Sequence, residues 1–197
     1  MTHKPARSSE VSSRPRLDGR IGAVIGAIAG LVFILINAGT APGWTSFALR
    51  AAGIASFVLV LWMAVLRRDR THADRPSPSA HAWRVYWLMV AFEVVLLHVG
   101  ASVLVRLDHP ELTVPWVALV VGIHFLPFAR AFRSPVFAVL GLVLIGLAVV
   151  GGLLAVLGDP DAGTLTAGVG SGIALLGFAF HVRPRAARRR LVGPSAG

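Results

Sequence analysis

Six apolar runs, each close to the roughly 20 residues that a helix needs to cross a ~30 Å hydrocarbon core, are separated by polar segments whose positive charge falls on alternate sides. The runs lie at about 20–38, 45–66, 83–105, 112–129, 135–157 and 163–182. Lys4, Arg7, Arg14, Arg16 and Arg20 precede the first run; Arg67, Arg68, Arg70, Arg75 and Arg84 separate the second from the third. Arg130 and Arg133 separate the fourth from the fifth, and Arg183, Arg185, Arg188, Arg189 and Arg190 follow the sixth. With six crossings these groups share one face, and the opposite face keeps only Arg50 and Arg106 beside Asp108, Glu111, Asp159 and Asp161. Basic loops stay in the cytoplasm. The expectation is an all-α integral membrane bundle of six transmembrane helices in a plasma membrane, with both termini cytoplasmic.

The composition excludes the main soluble alternative. A 197-residue chain that is 55% hydrophobic and 14% charged, with a mean hydropathy of +0.73, has too little polar surface to clothe a soluble globule. The net charge of +10 suggests nucleic acid only if the basic residues form a patch on a soluble domain. Here they flank apolar runs, where topology and contact with anionic lipid headgroups explain them. No cysteine is present, so thiolate chemistry and disulfides are excluded. The first run, about 18 residues long, exceeds the usual apolar core of a cleaved signal peptide. Residues 1–19 and 183–197 read as disordered basic tails, and 67–82 as an extended linker. No paired-aspartate, His-Glu-x-x-His or nucleophile motif appears, so no enzyme activity and no cofactor is expected.

Gly22, Gly26 and Gly30 recur one helical turn apart, which lets a second helix backbone approach closely. Internal packing is favoured over a homodimer seam. Glycines at 141, 146, 151 and 152 and at 168, 170 and 172 suggest tight packing, with some unwinding, in the last two spans. Trp44, Trp62, Trp83, Tyr86, Trp87 and Trp116 fall near span ends, where such rings anchor helices at headgroup level.

Glu93 most needs an explanation. Nine residues beyond Arg84, it lies roughly 13 Å into the membrane, near the midplane. An ionised carboxylate there costs several kcal/mol unless it faces the bundle, finds a partner or takes up a proton. His98 is turned about 140° from it on the same helix. His124, six residues before Arg130 on the next, antiparallel span, sits ~9 Å deep and is the better partner. A Glu93–His124 pair reads either as a proton relay or cation site, or as a polar contact pinning spans 3 and 4, often worth only about 1 kcal/mol. Two histidines and one carboxylate are too few on one face for a zinc site. Pro127 removes a backbone hydrogen bond and frees the Ile123 carbonyl, making a local hinge or the fraying end of the span. Arg50 and Asn37 belong near the outer interface, the arginine within reach of Asp159, Asp161 or Glu111.

The run 114–130 contains Gly122-Ile123-His124-Phe125-Leu126-Pro127. It resembles a segment of small, uncharacterised bacterial multi-pass membrane proteins that carry a Gly-x-His-Phe-x-Pro-like motif just before a cytoplasmic turn, preceded by a span with an acidic residue. The resemblance is clearest over 84–150 and singles out Gly122, His124, Phe125 and Pro127; it implies no activity. Two functions stay open: a small proton-linked carrier or channel-like protein using Glu93 and His124, and a noncatalytic component that binds a membrane partner, a second copy or anionic lipid. No inverted repeat relates spans 1–3 to spans 4–6 in their polar placement.

Overall fold

The computed structural model describes residues 19–66, 80–132 and 135–181. The tails before residue 19 and after residue 181, and most of the 67–82 linker, lie outside the described residues. The described residues are helical and contain no strand. They form three hairpins: α1 (Gly19–Asn37) with α2 (Trp44–Leu66), α3 (Ala80–Arg106) with α4 (Thr113–Phe132), and α5 (Pro135–Val156) with a last helix in three parts. Those parts are α6 (Pro160–Thr164), a π-helical turn (Leu165–Val169) and α7 (Gly170–His181). Among the described residues, five segments are long and apolar enough to cross a membrane: Ala23–Thr40, Trp44–Met63, Pro110–Arg130, Pro135–Val156 and Pro160–Phe180. The other long helix, α3, has 27 residues and contains Glu93 and His98, which at 1.5 Å per residue is about 40 Å of helix.

Two of the tight turns use the same device. At the end of α3 the His109 amide donates to the Leu104 carbonyl and that of Asp108 to Val105, with Asp108 left-handed at φ 58°. At the end of α5 the Asp159 amide donates to Leu154 and that of Gly158 to Ala155, with Gly158 at φ 104°. This paired closure satisfies carbonyls that a helix end otherwise leaves open. A proline two residues on, Pro110 or Pro160, then starts the next helical segment. Asp159 also caps α6, accepting from the Ala162 amide at 2.9 Å.

Among the described residues, three reciprocal glycine contacts organise the packing. A Cβ on Gly30 would stand 2.8 Å from the Gly172 carbonyl oxygen, and one on Gly172 2.7 Å from that of Gly30. Gly122 and Gly141 oppose each other at 3.0 and 2.7 Å, and Gly151 and Gly163 at 2.7 and 2.6 Å. Backbone therefore lies on backbone where α1 meets α7, where α4 meets α5, and where α5 meets α6. Such approach is what small residues supply in membrane helices, where lipid offers no hydrophobic drive for association. Gly30 is thus occupied within the chain, and Gly26 lies 4.0 Å from the Leu175 carbonyl oxygen by the same measure. The side of Gly22 is outside the described residues.

Leu144, Leu175 and Phe178 fill the centre with Phe33, Val121 and Phe125, while Ala118, Ala148 and Ala167 form a tighter layer beside them. The substantial packing of α3 is with α4 and the 110–112 turn, so this helix sits at an edge. One link is Trp116, whose indole fills the space over Gly100 and whose Nε1 donates to the Leu96 carbonyl at 3.2 Å. Its location near a span end fits a headgroup anchor, but its ring serves the helix–helix seam instead. Trp116→Phe loses the donor together with the pyrrole part of the indole that packs over Gly100. We expect it to cost about 0.5–3 kcal/mol in a thermal or denaturant unfolding series; no loss would show that neither the bond nor this packing contributes.

Candidate functional site

Glu93 is the middle residue of α3, and its face is set by the helix period: Phe92, Val95 and Val99 around it are exposed, while Glu93 turns inward. On α4, Gly122 faces α5; two residues later, about 200° around the helix, His124 faces α3. Glu93 Oε2 lies 3.4 Å from His124 Nδ1, with the two side chains 19% and 17% exposed. That is ion-pair range and slightly longer than a well-formed hydrogen bond. A carboxyl and an imidazole that share one proton are neutral overall, whether written as carboxylate with imidazolium or as carboxylic acid with imidazole.

Phenylalanines line the inner side of the pair. The His124 ring meets Phe128 edge-on at a centroid separation of 4.6 Å. Phe125 stacks on Phe137 at 6.2 Å, and Phe137 packs on Phe178 at 5.3 Å. Residues from α4, α5 and α7 thus gather into one aromatic cluster with the imidazole at its edge. Nothing in the sequence pattern collects them, since Phe137 and Phe178 are remote along the chain. The available signal is local: Phe125 and Phe128 flank His124 within one turn.

The other candidate residues lie apart from the pair. His98 is exposed, and its Nδ1 donates to the Val94 carbonyl of its own helix at 3.1 Å. Pro127 neither ends nor frays α4, which continues to Phe132. Asn37 is 7% exposed rather than solvated at an interface. Its Nδ2 donates to the Phe33 carbonyl at 2.8 Å, and its side chain presses on Gly168, where a Cβ would come within 2.5 Å of it. Gly168 belongs to the π-helical turn, a geometry that often marks functional positions; beyond the turn, the Ser171 hydroxyl is fully buried without a hydrogen-bond partner. Arg50 makes no ion pair with Asp159, Asp161 or Glu111; its guanidinium lies beside Gly39. Glu111 instead accepts from His109 Nδ1 at 3.0 Å. Trp44, Trp62 and Trp87 are exposed at or near helix ends, while the side chains of Trp83 and Tyr86 are outside the described residues.

A crevice of about 230 Å³ opens between α1, α2 and α7, lined by Ile34, Gly53, Ile173, Leu176 and Phe180 among others. None of its lining residues is ionisable, so it offers no acid, base or charge. Among the described residues no group of three or more His, Cys, Asp or Glu could hold a metal ion. The Glu93–His124 pair is therefore the part of the described bundle where two ionisable groups of opposite type meet away from the helix ends. No curated protein and no solved structure matches the chain. Residues 87–180, a stretch that contains Glu93, His124 and all four phenylalanines of the cluster, match the family of unknown function DUF7010.

Proposed function

We propose that this chain is a six-span membrane protein with both termini in the cytoplasm, and that it is a small proton-linked carrier in which Glu93 and His124 hold and release the coupling proton. The chain's apolar helices support the membrane assignment, and the one-sided distribution of Lys and Arg supports the orientation. The observation that carries the function is the 3.4 Å approach of a carboxylate and an imidazole inside an apolar seam. Intramembrane ionisable groups are costly, face a bundle interior or cavity and mark ion or proton pathways. Imidazole is the side chain whose ordinary titration range spans physiological pH.

The test is proton flux in proteoliposomes holding the wild-type protein, Glu93→Gln or His124→Ala, beside empty vesicles. Wild-type flux above the vesicle background is expected, with at least a tenfold drop in each variant, about what losing a positioned proton-transfer group costs. Flux indifferent to both substitutions would remove the pair from any transport role.

The second reading is a noncatalytic component that binds a membrane partner or anionic lipid. It is favoured by the edge position of α3, for which the pair acts as a clasp. Its sign would be a partner retained in mild detergent, together with a stability loss and no flux change in Glu93→Gln.

A further inference from the structure

We infer that the species exchanged for the proton is a lipophilic organic cation, bound by the Glu93 carboxylate against the Phe128 and Phe125 rings and reached from the bilayer at the seam of α3 and α4. This rests on the proton-exchange reading above.

Charge comes first. With one proton shared, the Glu93–His124 pair is neutral; with none, it carries one negative charge. In a low-dielectric seam that charge attracts a cation strongly. Among the described residues, the groups that could neutralise it instead are few. On α4, apart from His124 itself, the charged residue is Arg130, six residues further along at the helix end. On α3, His98 is committed to its own backbone and exposed, and His81, Arg84 and Arg106 lie near the helix ends. The 110–112 turn, also packed on α3, carries Glu111, engaged by His109. The helix α5, packed on the other side of α4, has no ionisable residue. One proton and one cation therefore compete for the same carboxylate, which fixes an exchange of one for one.

The surroundings then select the kind of cation. A metal cation gives up its hydration shell only to several ligands, and the described residues gather no group of three or more His, Cys, Asp or Glu that could hold one. What stands next to the His124 member of the pair is a set of phenyl rings: Phe128 at 4.6 Å from its ring, with Phe125 6.4 Å from each. Ring faces attract ammonium and phosphonium centres, and rings also match their alkyl or aryl coats. The route follows from exposure. Glu93 and His124 keep about a fifth of their surfaces open on an edge helix whose Leu88, Phe92, Val95 and Val99 are exposed. A solute already dissolved in the acyl chains meets the pair without crossing a polar barrier.

The experiment uses tetraphenylphosphonium as the probe and the purified full-length protein in weakly buffered detergent, with empty micelles as the blank. Saturable binding is expected, with release of about one proton per cation, read by a pH indicator. Glu93→Gln should abolish both signals, and Phe128→Leu should weaken binding by about threefold to tenfold. If Glu93→Gln does not fold, the proton release of the wild type decides. Binding without proton release, or binding that survives in folded Glu93→Gln, is partition into the micelle and overturns the inference. Glu93-dependent proton flux without saturable binding of the probe also overturns it, while leaving the proton carrier standing. Absence of both flux and binding removes the two together.

Discussion

Gly151→Ala is expected to destabilise the bundle by about 1–3 kcal/mol, while Gly146→Ala, five residues earlier on the same helix, should be neutral or stabilise it by up to about 1 kcal/mol. The chemical change is identical in the two variants, and the sign is set by what the new methyl meets. At Gly151 it would stand 2.7 Å from the Gly163 carbonyl oxygen and 3.0 Å from the Ala167 amide nitrogen. Both are backbone atoms, which cannot rotate away, so α5 and α6 must separate and lose dispersion contact along their length. At Gly146 nothing lies within 4 Å, and the methyl only removes conformational freedom from the unfolded chain. The measurement is the unfolding midpoint of each variant in one detergent. Equal midpoints for the two variants would show that α5 and α6 are not in backbone contact. Gly163→Ala should reproduce the Gly151 result from the other side, because the contact is reciprocal at 2.6 Å. A valine at either position should be worse, its branch at Cβ adding bulk against the same carbonyl.

Such contacts show where sequence stops being informative about a membrane bundle. The helices are legible because length and hydropathy are properties of a single segment: a run such as 135–157 has few alternatives to a long helix in lipid. The level of Glu93 and His124 is legible too, since each can be counted from an arginine expected at the membrane surface and a short turn makes their helices antiparallel neighbours. Rotation is not. In a soluble helix the apolar stripe points to the core, but α5 is apolar all round, and α3 exposes valines and leucines on faces that lipid can cover. Whether Glu93 turns toward α4 is decided by the contacts of Gly100 with Trp116 and of Gly122 with Gly141, between residues distant in sequence. Asn37 shows the same limit. Its place near a span end fits a solvated group, and what buries it is Gly168, more than a hundred residues on. The π-helical turn leaves only a glycine-rich trace, which is compatible with ordinary helix.

Replacing both members of the pair by leucine is expected to restore most of the stability that either single replacement loses, while proton flux stays at background in all three variants. Glu93→Leu leaves a neutral imidazole with a lost partner. His124→Leu leaves a carboxyl group in an apolar seam, where it must bind a proton or remain as an unpaired charge. Each orphaned polar group costs about 1–3 kcal/mol, and the carboxyl should be the more costly because its charged form is the ordinary one at neutral pH. In Glu93→Leu/His124→Leu neither orphan remains, and apolar residues can replace a buried ion pair without loss. A coupling energy near 1 kcal/mol or above, in the range of interhelical polar contacts in membranes, is therefore expected from the cycle of unfolding free energies. Strict additivity would mean that the two groups do not interact at 3.4 Å. The combination of readouts carries more than either alone. A clasp needs the pair for stability and is served as well by two leucines, so a doubly substituted protein that is stable and fully active would assign the pair to structure. A relay needs a group that binds and releases a proton, which no apolar side chain supplies. Recovered stability with abolished flux is thus the outcome that a purely structural role cannot produce.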